Sequence, residues 1–185
     1  IIPFSDMPMR YKQTPVSATS TEIALAVSYI QSLTVRGGTN IQDALTNGLS
    51  QYINQETSNI IIFLTDGIAD VKTDVVKSQN KQNVRIFVFG IGNDVNKQLL
   101  TDIALGNNGF ADFITQTENT GSKISGFFNK IKNPLLQNIA IAFAPTEVFE
   151  IYPQQLPDIF VGEQLVVCGR YKTAGNATVT LTGKG

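Results

Sequence analysis

Two oxygen-bearing side chains stand in this 185-residue sequence where a hard cation would use them, Thr39 and Asp66. Asp66 ends the apolar run Asn59 to Thr65 and is followed by Gly67. A carboxylate there either caps a turn or helix or binds a cation that requires oxygen donors. Thr39 follows Gly37-Gly38 and precedes a helical pattern, so it is either an ordinary N-cap or a ligand. Taken together, one hydroxyl and one carboxylate on neighbouring loops make half of a magnesium site. Other chemistry is excluded by composition. The sequence has no histidine, which removes Ser-His-Asp hydrolysis, Cys-His proteolysis and His-ligated zinc within this chain. Its one cysteine, Cys168, has no partner for a disulfide or a thiolate cluster, and its apolar run Leu165 to Cys168 predicts a buried structural thiol. Gly90-Ile91-Gly92 lacks the third glycine of a dinucleotide fingerprint, because Val95 stands there. Gly37-Gly38-Thr39-Asn40 lacks the Lys-Ser or Lys-Thr of a phosphate loop. No nucleophile–base pair is visible, and the chain is read as a non-enzyme.

The elements that must position Thr39 and Asp66 are legible from periodicity. Ile1 to Phe4 is a short strand candidate, and Met9 to Val16 a weak edge strand. Thr19 and Glu22 have capping-box spacing. They precede a helical face of Ile23, Val27, Ile30 and Leu33, which stops at Gly37-Gly38. A second helical face carries Ile41, Ala44, Leu45, Leu49 and Tyr52. Asn59 to Thr65 and Val84 to Ile91 read as strands covered on both sheet faces. Helices are expected over Thr73 to Gln82, over the face Val95, Leu99, Ile103 and Ala104 with Asp94 as cap, and around Ile124, Phe127, Phe128 and Ile131 up to Pro134. A short strand fits Phe110 to Ile114.

From Ile139 the pattern changes to strands alone, over Ile139 to Phe143, Glu147 to Tyr152, Gln164 to Tyr171 and Ala177 to Thr182. Turn residues such as Pro153, Pro157, Gly162 and Gly175 separate them, and Asp158 is read as a turn residue. The expected organisation is therefore an α/β domain over residues 1–134, doubly wound, with a mostly parallel sheet and helices on both faces, followed by a β-sandwich segment over residues 135–185. Sites in such sheets lie beyond the carboxyl ends of the strands. That rule selects Ser5-Asp6, Gly37 to Asn40, Asp66-Gly67 and Gly92-Asn93-Asp94.

A net charge of −1 and a charged fraction of 16% give no pull toward nucleic acid or an acidic membrane. No apolar run reaches the ~20 residues of a membrane-spanning helix. The start Ile1-Ile2-Pro3-Phe4 reads as the middle of a longer polypeptide. Asn176-Ala177-Thr178 matches the N-glycosylation tripeptide, a pattern that also arises by chance.

Gly37-Gly38-Thr39-Asn40-Ile41, Ile61 to Gly67 and Val88 to Asp94 resemble the von Willebrand factor type A fold in order and spacing. Within it the likeness is to inter-alpha-trypsin inhibitor heavy chains and their bacterial relatives. Tyr152 to Phe160 and Gly162 to Tyr171 resemble the segment that follows the domain there. The resemblance implies a metal-ion-dependent adhesion site holding Mg²⁺ or Mn²⁺, completed by an acidic residue of a protein partner. It makes Thr39 and Asp66 the ligands of the second and third metal loops. The first loop, Asp-x-Ser-x-Ser, has no counterpart here. The resemblance places that loop at the end of the central strand, between Ile1 to Phe4 and Asn59 to Thr65. It therefore implies a slot, with roughly 5 Å to each neighbour, filled by an upstream segment, a companion chain or a neighbouring molecule. Two functions follow as expectations. One is a protein-binding or adhesion module, secreted or extracytoplasmic. The other is a metal-free structural subunit of a larger assembly.

Overall fold

A computed structural model describes residues 1–34, 37–51, 59–67, 69–132, 134–154, 156, 159–162 and 164–184. Tyr52, Pro157 and Asp158 lie outside the described residues. The chain forms two compact units, Ile1–Glu118 and Asn119–Gly185.

In the first unit the N-terminal residues fold back on themselves. Met9 N donates to Pro3 O at 2.8 Å and Tyr11 N to Ile1 O at 3.0 Å, with a bridge between Phe4 and Pro8. This turn takes the place of the expected edge strand from Met9 to Val16. Helix α1 (Ser20–Gln31) starts as its capping spacing predicts, with the Thr19 hydroxyl accepting from Glu22 N at 3.3 Å. Glu22 pairs with Lys12 at 3.0 Å instead of closing the box, and Tyr29 stacks on Tyr11 at 4.4 Å. None of α1's residues is buried, so its apolar face, Ile23, Val27 and Ile30, stays half exposed. Helix α2 (Ile41–Leu49) carries the same periodic signal and does bury it: Ile41, Ala44, Leu45 and Leu49 all enter the core.

Three strands follow, β1 (Ile60–Thr65), β2 (Arg85–Ile91) and β3 (Ala111–Ile114), alternating with α3 (Thr73–Gln79) and α4 (Lys97–Gly106). The sheet order is β1-β2-β3 and both pairings are parallel, with Ile60 opposite Arg85 and Val88 opposite Ala111. β2, the middle strand, is buried from Arg85 to Gly90, as its continuous apolar run requires. Helix α4 packs on β2 and β3, α3 on α4 and α2, and α2 on β1. The core between them is led by Val76, Val84, Ile86, Val88, Leu100 and Ile103, each at most 1% exposed. Fully burying side chains of this kind contributes about 1.5–3 kcal/mol each relative to leaving them in water.

At the amino end of β2 an asparagine network replaces solvent. Asn80 accepts from Val84 N at 2.7 Å and donates to Val84 O at 2.7 Å and to Asn107 at 2.8 Å. Helix α4 is capped by Asn96, whose side chain accepts from Leu99 N at 3.1 Å. The expectation that Asp94 caps it is thereby corrected. The helix begins two residues later than the apolar pattern suggested, and the cap must stand three residues before the amide it satisfies.

Among its described residues the second unit contains α5 (Thr120–Ile131), capped by Asn119, and five strands: β4 (Pro134–Ala144), β5 (Val148–Tyr152), β6 (Ile159–Phe160), β7 (Cys168–Tyr171) and β8 (Thr178–Lys184). All pairings are antiparallel, in a three-stranded sheet β6-β4-β8 and a two-stranded sheet β5-β7. The short strand β6 was not anticipated from sequence. Cys168 is exposed, against the expectation of a buried thiol. It lies on β7, which is exposed along its whole length, so an apolar run gave strand character without giving cover.

Candidate functional site at the carboxyl edge of the sheet

The parallel strands of the first unit end on one edge, and three loops meet there: Ser5-Asp6, Gly37 to Asn40, and Asp66-Gly67. Asn40 ties the first two. Its backbone N donates to Ser5 O at 2.8 Å, and its side-chain amide donates to Asp6 O at 3.3 Å. The same side chain caps α2, accepting from Asp43 N at 3.0 Å and donating to the Asp43 carboxylate at 2.8 Å. The N-cap of α2 is therefore Asn40 and not Thr39, which leaves the Thr39 hydroxyl without a capping duty. The sequence carries a signal for this, an Asn three residues before an Asp ahead of an apolar face.

Thr39 instead reaches the third loop. A Cβ built on Gly67 would stand 2.5 Å from Thr39 Cγ2 and 2.6 Å from Thr39 Oγ1. Only a glycine lets the threonine approach the Asp66-Gly67 turn so closely. Thr65, buried at the end of β1, fixes that turn by accepting from Gly67 N at 3.2 Å. Asp66 is exposed and caps no described helix; the next helix, α3, has Lys72 at its N-cap with no side-chain cap bond. The loop after Asp66 is held at its far end by Lys72 N donating to Gln42 Oε1 of α2 at 3.1 Å. Among the described residues, neither the Thr39 hydroxyl nor the Asp66 carboxylate has a hydrogen-bond or ion-pair partner. Both line one cavity of about 520 Å³, with Ser5, Gly38, Phe4 and Tyr29 also in its wall. The Asp6 carboxylate packs against Gly38, where a Cβ would collide with it.

The structure thus brings Thr39 together with the Asp66 turn and brings Ser5-Asp6 beside Gly38. Gly92-Asn93-Asp94 follows β2 on the same edge, with Gly92 in a left-handed conformation at φ 99°. As a cation site the set is of the right chemistry and incomplete. A hydroxyl and a carboxylate are hard oxygen donors, but Mg²⁺ takes six in near-octahedral array. Among the described residues no group of three or more His, Cys, Asp or Glu is placed to hold a metal.

Comparison with known proteins gives this arrangement its context. A family model of the von Willebrand factor type A domain matches residues 2–129. The chain is 28% identical to inter-alpha-trypsin inhibitor heavy chain H2 of Sus scrofa over 92% of its own length, and 28% identical to the Homo sapiens heavy chain H2 over 94%. It spans 20% of each of those proteins. Among solved structures it is similar to proximal thread matrix protein 1 from the mussel byssus, described with a zinc-occupied MIDAS motif, at 26% identity and a TM-score of 0.54 over 68% of this chain and 32% of that one. It shares its fold with a von Willebrand factor type A protein from Catenulispora acidiphila, at 17% identity and a TM-score of 0.58 over 97% of this chain and 44% of that one. A parallel α/β sheet, loops meeting at its carboxyl edge and a family match over more than half of the residues lead to one conclusion: the chain belongs to the von Willebrand factor type A domain family.

Proposed function

We propose that this domain is a protein-binding module that works through the carboxyl edge of its sheet, with Thr39 and Asp66 as two ligands of a Mg²⁺ or Mn²⁺ ion. The observation that carries the reading is the seating of Thr39 against Gly67, beside an Asp66 that caps no described helix. Two oxygen donors unpartnered among the described residues, on loops that meet where Thr39 packs on Gly67, suit a hard cation better than either suits a structural cap. The remaining oxygens would come from an Asp-x-Ser-x-Ser segment outside these residues and from an acidic side chain of the partner. When bound, the cation supplies a Lewis-acidic contact for that carboxylate. The role of this chain's residues is to hold the hydroxyl and carboxylate in place. In this reading the domain binds and does not catalyse, in keeping with a sequence that has no histidine.

The similarity to inter-alpha-trypsin inhibitor heavy chains supports a secreted or extracytoplasmic protein. No described helix is long and apolar enough to cross a membrane. A second reading, a metal-free structural subunit of a larger assembly, draws on the incompleteness of the donor set. Partner capture measured with Mg²⁺ and with EDTA, on wild-type and Thr39→Ala protein, separates the two. The metal-dependent reading expects binding to be lost in EDTA and weakened about tenfold or more by the substitution. Binding indifferent to both leaves the structural reading.

A further inference from the structure

The tripeptide Asn176-Ala177-Thr178 has no part in the sheet-edge site. No other asparagine of the sequence has Ser or Thr two positions on. It lies in the second unit, in the connection from β7 to β8, where every residue from Tyr171 to Thr180 is exposed. The connection is held at both ends. Lys172 N donates to Glu147 O at 3.3 Å, and Lys172 Nζ pairs with the Glu147 carboxylate at 2.8 Å. Thr178 enters β8 opposite Ala144 of β4.

An asparagine in a turn ordinarily has a structural duty, with its side chain bonded to nearby backbone. Asn96 and Asn119 cap helices in this way, and Asn80 and Asn107 close the network at the amino end of β2. Asn176 has no such duty. Among the described residues its carboxamide has no hydrogen-bond partner, and neither has the Thr178 hydroxyl. The side chains also divide by face. A cavity of about 450 Å³ takes Gly175, Ala177 and Val179 into its wall, with Phe143 and Val148, but not Asn176 or Thr178. Successive side chains of an extended segment point to opposite faces. Asn176 and Thr178 therefore share the face turned away from the cavity, two residues apart and both in solvent.

We infer that Asn176 is an N-glycosylation site, whose carboxamide accepts an oligosaccharide from a polyprenyl diphosphate carrier. In the transfer Nδ2 bonds to C1 of the first sugar and gives up one proton. The bond from C1 to the diphosphate oxygen breaks, and the diphosphate leaves with the electron pair, so nothing is oxidised or reduced. The pattern requires a residue other than proline between the asparagine and the hydroxyl, and Ala177 meets it. The product is bulky and must stay in water. An exposed turn permits that, and a face turned from the cavity permits it without disturbing apolar contacts. The transfer acts on chains that leave the cytoplasm, so the inference rests on the extracytoplasmic reading. It does not involve Thr39, Asp66 or a cation.

The test takes the full-length protein from its source cells, separated into secretory and cytosolic fractions. Trypsin releases Thr173 to Lys184, a peptide with no other asparagine. In the secretory fraction this peptide should be missing at its unmodified mass from most molecules. Treatment with peptide-N-glycosidase in heavy-oxygen water should restore it with Asn176 converted to labelled aspartate, and incubation without the enzyme should not. In re-expressed protein Asn176→Gln and Thr178→Ala should each lose the glycan, and Thr178→Ser should keep it. Thr178→Ala is the sharper variant, because it leaves the accepting carboxamide intact. Bare Asn176 in the secretory fraction overturns the inference and leaves the extracytoplasmic reading standing. Protein confined to the cytosolic fraction with bare Asn176 overturns both. A glycan that survives Thr178→Ala also overturns the inference, since the tripeptide would then not be what selects Asn176.

Discussion

Replacing Gly67 with alanine probes the site through a single methyl group. The new Cβ would lie 2.5 Å from Thr39 Cγ2, 2.6 Å from Oγ1 and 3.1 Å from Cβ. Ordinary contact between such atoms begins near 3.5 Å, so Thr39 must retreat by about 1 Å. Rotation about χ1 gives no relief, since it exchanges methyl for hydroxyl against the same obstacle. The backbone of the Gly37 to Asn40 loop must move, and Asn40 ties that loop to Ser5 and Asp6. Overpacking of this kind costs about 1–3 kcal/mol. At about 2–4 °C per kcal/mol for a chain of this size, the melting temperature should fall by roughly 2–12 °C. Gly37→Ala is the matched control. Nothing lies within 4 Å of its added Cβ and its φ is not positive, so it should be neutral or stabilise by about 0.4–1 kcal/mol. Calorimetry on both variants, followed by Mn²⁺ titration, makes the comparison. Equal melting of Gly67→Ala and Gly37→Ala would refute the claimed contact. Lower stability with unaltered metal affinity would leave the contact standing and remove Thr39 from the ligand set.

Three further outcomes are expected. Asn96→Ala should destabilise the first unit by about 1 kcal/mol in urea unfolding while Asp94→Ala changes it little, because the side chain that accepts from Leu99 N of α4 is that of Asn96. Ile103→Ala, at a fully buried position of α4, should cost about 2–5 kcal/mol by the same assay; a loss under 1 kcal/mol would mean that the core is not packed as described. Cys168 should be alkylated by iodoacetamide in the folded protein at a rate close to that of a free thiol, and a lag matching global unfolding would contradict its exposure.

The residues that the sequence could resolve are those whose constraints are local. Apolar alternation with breakers located β1, β2 and α4 to within a few residues, and Thr19 with Glu22 located the start of α1. The order of strands and helices, together with the Gly-Gly-Thr and Thr-Asp-Gly contexts, sufficed to point at Thr39 and Asp66. Which periodic face is buried was beyond that reach. Ile23, Val27 and Ile30 on α1 carry the same signal as Ile41, Ala44 and Leu45 on α2, but only the second set meets the sheet. Burial depends on what another element presents, and a periodicity does not contain its partner. The same holds at Cys168, where an apolar run makes a strand but only packing makes a core. Asn40, not Thr39, caps α2, because both residues suit the position and the backbone's point of entry into the helix chooses between them. The sequence by itself determined an α/β chain with two oxygen donors of cation-binding type. Only the tertiary structure decided that Thr39 lies on Gly67, since contacts between residues dozens of positions apart are set by how the chain closes on itself.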